Sequence, residues 1–296
     1  GGDTSGNNDG DGGEKSVRNL HFVFAVPPSY PASARDALMD AAYASSANGS
    51  SVVDSTECTA AVYERKFGDV EVEKEKIVLV VEMGHARCCV SILKKVPTTP
   101  TTTGEEEGTD GTIEGGTAEE VQVLSAISSP TLGAGLVDVA LYRHFLASHT
   151  SLSHHSPETF GTSSRPGQRL LEGCRKLKHL LSMLPENTVT VENIGKNDGD
   201  VSLSCTRELM KELCRESVID RLNGMIESAI EKAGVGGEAP LGEIDAVEIT
   251  GGGSRIPMVQ EAIRTAIGRG DDFVFARSLD DTSLAFGASL IGNVAS

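Results

Sequence analysis

Residues 246–267 read AVEITGGGSRIPMVQEAIRTAI, and the order of residue types predicts a strand, a glycine turn and a helix. Ile244, Val247 and Ile249 form an apolar run of the length of a buried strand. Gly251, Gly252 and Gly253 follow at once, and three residues without a β-carbon let backbone approach a flat or anionic ligand closely. Pro257 suits the first turn of a helix, and Ser254 is placed to cap it. Val259, Ile263 and Ile267 repeat at helical spacing, and Gly268 supplies a stop. A glycine turn at a helix start suits a nucleotide or phosphate. A tight strand-to-helix turn that binds nothing carries the same pattern.

The composition narrows the function classes. The 296 residues suffice for one large domain or two modest ones. With 26 Lys plus Arg against 43 Asp plus Glu the net charge is -17, which argues against a nucleic-acid partner. Trp is absent and aromatics are 4%, so the core must be aliphatic. No run approaches the roughly 18 apolar residues of a membrane span, and the polar start GGDTSGNNDGDGGEK is not that of a signal peptide. The six cysteines form no C-x-x-C pair and sit mostly in apolar patterns, which predicts reduced core thiols in a cytoplasmic protein with no metal site.

Outward from the glycine turn, residues 20–26 predict a first strand ended by Pro27 and Pro28. A helix follows over 29–46, with Leu38, Ala41 and Ala42 on one face. Val52 and Val53 predict a short strand, 57–66 a helix, and 77–81 and 88–93 two paired strands around the turn EMGHAR. Residues 121–127 return as a strand, and a helix runs from the segment 131–138 to about residue 149. His149, His154 and His155 fall in a polar loop. Residues 168–184 form an amphipathic helix whose stripe is Leu170, Leu171, Cys174, Leu177, Leu181 and Leu184. Arg175, Lys178 and Ser182 project from one side of it, where a cation and a hydroxyl could grip a nucleoside or form a solvated basic face. Residues 188–194 and 201–204 predict two strands. The long helical pattern 206–233 breaks near Glu216, 273–276 predict a short strand, and a helix closes the chain from about Asp281, a natural N-cap. Residues 1–17, and the Thr-, Gly- and acid-rich stretch 97–119, hold too little apolar surface to order themselves.

Several of these motifs, in this order, resemble one family. TGGGSRIP is similar to the adenosine loop of the seventy-kilodalton heat-shock chaperones, members of the actin-like ATPase superfamily. CRKLKHLLS resembles the family helix that packs over adenine and ribose, with Lys178 and Ser182 on the family's lysine and serine and Arg175 replacing an acid. STECTAAVYERKF resembles the segment in which Glu57 stands on the acid that organises water and metal in hydrolysis. The turn EMGHAR stands where the family has a phosphate-cradling hairpin. Glu82 takes the place of its aspartate, only Gly84 keeps a glycine, and Arg87 takes the place of its threonine. Met-Gly-His resembles the large, hundred-and-ten-kilodalton branch. Ala134 and Gly135 partly match the family's paired glycines, and Asp281 falls on an acid near the ribose.

The resemblance implies an α/β, actin-like (ribonuclease H-like) ATPase fold, comprising part of lobe I and most or all of lobe II. Residues 1–17 would be a tail, 18–76 and 281–296 partial lobe I, 77–137 and 218–280 the base of lobe II with the insertion 97–119, and 138–217 its upper subdomain. It implies binding of ATP or ADP, with magnesium in the complete domain, through Gly251, Gly252, Gly253, Arg255, Lys178, Ser182, Arg175, Gly84 and Asp281. It further implies a nucleotide-exchange factor and holdase whose partners are a smaller heat-shock chaperone and unfolded clients. The altered phosphate turn predicts weak, adenosine-driven binding and no useful ATP hydrolysis. An active chaperone ATPase, a sugar or acetate kinase of the superfamily, and an interaction domain without nucleotide are the alternatives.

Overall fold

The computed structural model describes residues 21–45, 49–67, 74–96, 121–152, 155, 160–235 and 244–294. The expected tail 1–17, the insertion 97–119 and His154 lie outside them.

The elements run in order as follows. Strand β1 (Phe22–Val26) leads to helix α1 (Ala32–Ala44), strand β2 (Ser50–Asp54) and helix α2 (Ser55–Phe67). Strands β3 (Lys76–Met83), β4 (Cys88–Lys95) and β5 (Val121–Ser129) precede helices α3 (Gly135–Ser148) and α4 (Arg165–Met183). Strands β6 (Glu186–Val191) and β7 (Val201–Thr206) lead to helices α5 (Arg207–Leu213) and α6 (Asp220–Ala233). Strand β8 (Ile244–Thr250), helix α7 (Pro257–Ala266) and helix α8 (Ser283–Val294) complete the described chain.

A four-stranded sheet of order β5-β4-β3-β8 carries the core. β3 and β4 form an antiparallel hairpin, and β8 lies parallel to β3 with Val81 opposite Ile249. Helices cover both faces, which is why β3 reads as the near-continuous apolar run IVLVV. Side chains alternate across a strand. Leu79, Val81 and Met83 accordingly enter the main core with α3, α4, α6 and α7. Val78 and Val80 face Ala60 and Val62 of α2 and Leu279 on the other side. β1 and β2 pair in parallel as a separate two-stranded sheet, and α8 packs on α2 and β1. β6 and β7 form a third, antiparallel pair against α4.

Local chemistry fixes the helix ends. The Ser164 hydroxyl accepts from Gly167 N at 3.1 Å to cap α4, and Thr206 Oγ1 accepts from Leu209 N at 3.2 Å to cap α5. The expected break near Glu216 is a five-residue π-helical turn, Arg215–Ile219, between α5 and α6. Gly234 ends α6 in the left-handed conformation with φ 63°.

Four local expectations need correction. Ser254 does not cap α7: Ile256 holds the N-cap position, and the Ser254 hydroxyl donates to the Gly251 carbonyl at 2.7 Å. Residues 273–276 form no strand but a single bridge between Glu248 and Ala276, with Val274 84% exposed. Asp280, not Asp281, organises the start of α8, accepting from Thr282 N at 2.9 Å. On α1, Ala42 is buried while Ala41 faces solvent.

Candidate functional site

Four segments remote in sequence meet at one cavity of about 500 Å³: the turn 84–87, Ala134 just before α3, helix α4 and the glycine loop with Ile256. The parallel pairing of β3 and β8 brings the turn and the glycine loop together, because both strands end at the same edge of the sheet.

The glycines of the loop differ in what they do. Gly251 has φ +82°, and a β-carbon there would lie 2.5 Å from the Met83 carbonyl oxygen. One on Gly253 would lie 2.8 Å from both Met83 Cγ and that oxygen. These two residues are glycines so that the loop can pack on the end of β3. Gly252 meets nothing within 4 Å and borders the cavity. Of the three, it alone has open space where a ligand could replace a side chain.

The turn is tied down by backbone bonds. Gly84 N donates to Arg87 O at 2.9 Å, Ala134 N to Gly84 O at 2.9 Å, and Gly135 N to His85 O at 2.7 Å. Gly84 is thus occupied within the hairpin and its clasp to the loop before α3. The His85 side chain reaches the cavity, and a β-carbon on Gly135 would press on its ring. At the base of the turn burial raises the carboxyl pKa of Glu82, and nearby Arg87 opposes the shift.

Helix α4 supplies Lys178, His179, Ser182 and Met183 to the cavity. Lys178 is not a free basic group on a solvated face. It is 6% exposed, and its ammonium lies 2.8 Å from Asp138 Oδ1. It sits one turn from Cys174 and three residues before Leu181, both fully buried, so the helix carries it inward with the apolar stripe. Leu184, expected on that stripe, lies beyond the helix and is 44% exposed. Ser182 donates to the Lys178 carbonyl at 3.0 Å, which leaves its oxygen lone pairs as acceptors. Arg175 approaches Asp138 at 3.8 Å and Glu172 at 3.6 Å.

Of the site residues expected from the sequence, the structure brings Gly252, Gly253, Arg255, Lys178 and Ser182 to this cavity. Arg255 also lines an adjoining cavity of about 440 Å³, together with Gly251, Arg277 and Asp281. Asp281 therefore lies across the loop from Lys178, not beside it. Glu57 lines neither cavity; it sits in the first turn of α2 and accepts from Asp54 N at 3.3 Å, as a helix-start acid does. Sequence reasoning did not place His85 and His179 at the cavity or Asp138 behind it. A signal for Asp138 was its place as a lone acid in the apolar helix start GLVDVAL. Among the described residues, no three His, Cys, Asp or Glu side chains converge to hold a metal ion. None of the described helices is long and apolar enough to cross a membrane.

The residues present fit an adenine nucleotide. The open Gly252 position leaves room for a flat group, Ser182, His179 and Arg255 offer polar contacts of both kinds, and His85 lies on the turn side.

The chain is also similar to known proteins. The family model described as Hsp70 protein matches residues 111–296. The chain is 27% identical to a heat shock protein homolog of Saccharomyces cerevisiae, over 83% of this chain and 31% of that protein. It is 27% identical to Heat shock 70 kDa protein 4 of Homo sapiens, over 83% of this chain and 26% of that one. It is 26% identical to a ribosome-associated molecular chaperone of Zygosaccharomyces rouxii, over 92% of this chain and 39% of that one. The chain thus spans well under half the length of each of these relatives.

Proposed function

The chain belongs to the Hsp70 family, with a resemblance to its large Hsp110 branch, and from that premise we propose that it is the later part of an adenine-nucleotide-binding chaperone domain. The observation that carries the reading is convergence. Lys178 and Ser182 from α4, Gly252 and Arg255 from the loop after β8, and His85 from the β3–β4 turn share one cavity. Nothing in a packed core requires these polar groups to face a common space. The adenosine part of ATP or ADP is the ligand of that cavity. In the complete domain magnesium would supply the positive charge that phosphoryl transfer needs.

In this reading α2 and α8 with β1 and β2 are part of lobe I, the four-stranded sheet is the base of lobe II, and α4 with β6 and β7 is its upper subdomain. The chain itself does not hydrolyse ATP at a useful rate. On its phosphate turn Glu82 brings negative charge and His85 and Ala86 stand where flexible glycines would serve, while Glu57 lies apart from the cavity. The biological role is cytoplasmic, as exchange factor and holdase for a smaller heat-shock chaperone. Two measurements test it. The chain should accelerate release of fluorescent ADP from a seventy-kilodalton chaperone, and unchanged release would remove the exchange role. It should release no phosphate from magnesium ATP beyond a Glu57→Ala control, and turnover that disappears in the control would make it an ATPase.

A further inference from the structure

We propose that Asp138 is the positioning residue of this cavity, fixing the Lys178 ammonium so that the lysine meets the nucleoside and not the phosphates of a bound nucleotide. The proposal rests on the adenine-nucleotide reading above.

Asp138 is 1% exposed, in the first turn of α3. Neither carboxylate oxygen accepts a well-aligned hydrogen bond, so charge holds it: Lys178 Nζ lies 2.8 Å from Oδ1 and Arg175 Nε 3.8 Å from Oδ2, and the His85 ring approaches with Nδ1 4.0 Å from Oδ2. These groups come from α4 and from the turn 84–87, two walls of the cavity. A buried carboxylate with no cation beside it would be costly, and here it is the hub on which both walls converge.

The consequence falls on Lys178. Its ammonium also donates to the Ala134 carbonyl at 3.4 Å. An ammonium has three donors; one goes to Ala134 and the Asp138 charge holds the group at the start of α3, which leaves an N–H for the cavity. Paired with Asp138, the lysine adds little net charge; what it offers a ligand is a fixed N–H. Its partner is therefore a neutral acceptor such as a ribose hydroxyl or ring nitrogen.

This account and bare electrostatics give opposite signs for Asp138→Asn. Removing a negative charge near the cavity would draw the phosphates of ADP more strongly and leave adenosine alone. Releasing Lys178 from its position would weaken both ligands alike, by about tenfold for one aligned hydrogen bond to a charged donor.

The first arm of the test needs no nucleotide: reductive methylation of lysines, read by peptide mass spectrometry. In the native chain Lys178 should be protected while the exposed Lys176 on the same helix is labelled. In Asp138→Asn, Lys178 should label at the rate of Lys176, with the buried Lys95 still protected as proof that the fold survives. The second arm is calorimetric titration with adenosine and with ADP, where both should weaken to the same degree. Lys178 staying protected in Asp138→Asn, or ADP binding tightening, overturns the proposal. A native chain that binds neither ligand removes the nucleotide reading, and the labelling arm still decides whether Asp138 positions Lys178. Should Asn expose Lys95, Asp138→Glu provides the comparison. It keeps the carboxylate and should keep Lys178 protected, and a folded Glu variant with Lys178 labelled overturns the proposal.

Discussion

Replacing the loop glycines one at a time separates packing from ligand binding. Gly251 has φ 82° and ψ 152°, a region open essentially to glycine, so alanine there costs about 1–3 kcal/mol in backbone strain. Its β-carbon would also lie 2.5 Å from the Met83 carbonyl oxygen, and overpacking of this kind adds about 1–3 kcal/mol. Gly251→Ala should therefore lose several kcal/mol, a large part of the ~5–15 kcal/mol that holds a domain together. Gly252→Ala meets no atom within 4 Å and should change stability by no more than about 0.5 kcal/mol, yet it narrows the cavity and should weaken ADP. The assay is urea denaturation followed by circular dichroism, with the slope checked to be unchanged, beside calorimetry with ADP. Equal stability losses at the two positions, or none at Gly251, would refute the division of labour.

Burial pushes the thiols of Cys88, Cys89, Cys174 and Cys214 up to about 12 and that of Cys58 up to about 11, from an ordinary 9.0. The unfolded chain therefore loses these protons first. Stability should hold below pH 9 and fall as pH rises toward 12, and at pH 8 native chain should resist iodoacetamide until it is unfolded. Burial also raises the carboxyl pKa of Glu82, so its charged form is disfavoured in the fold. Glu82→Gln should raise the melting temperature at pH 7, and the gain should vanish as pH falls below the ordinary carboxylate range, as thermal melts across pH will show. Hydrogen bonds from Thr282 and Ser283 lower the Asp280 pKa. Asp280→Ala should lower the melting temperature at pH 7, with the loss shrinking as pH falls through the carboxylate range, whereas Asp281→Ala should leave it unchanged.

The elements legible in the sequence were those whose own residues carry the pattern. IVLVV in β3 and IDAVEIT in β8 declare buried strands, and the stripe of α4 declares an amphipathic helix. Residues 273–276 carry a strand-like pattern too, but Phe273 and Phe275 stack against Arg269 and Arg264 and leave only one bridge to β8. The site was legible as far as the loop and α4 had readable motifs. The ion pair of Lys178 was not, because its partner, Asp138, belongs to another helix and only the packing of α3 on α4 joins them. Nor could spacing tell Gly252 from its neighbours, since the difference lies in the distance to Met83. The family position of Asp281 suggested a ribose contact, yet the local turn gives the capping role to Asp280 and places Asp281 in the adjoining cavity.

Calorimetric titration of the purified chain with ADP tests the central claim most directly, run beside Lys178→Ala and Gly252→Val. The account requires saturable binding at one site that both substitutions weaken while the chain stays folded. Folded native chain that takes up no ADP, or binding that neither substitution alters, would contradict it.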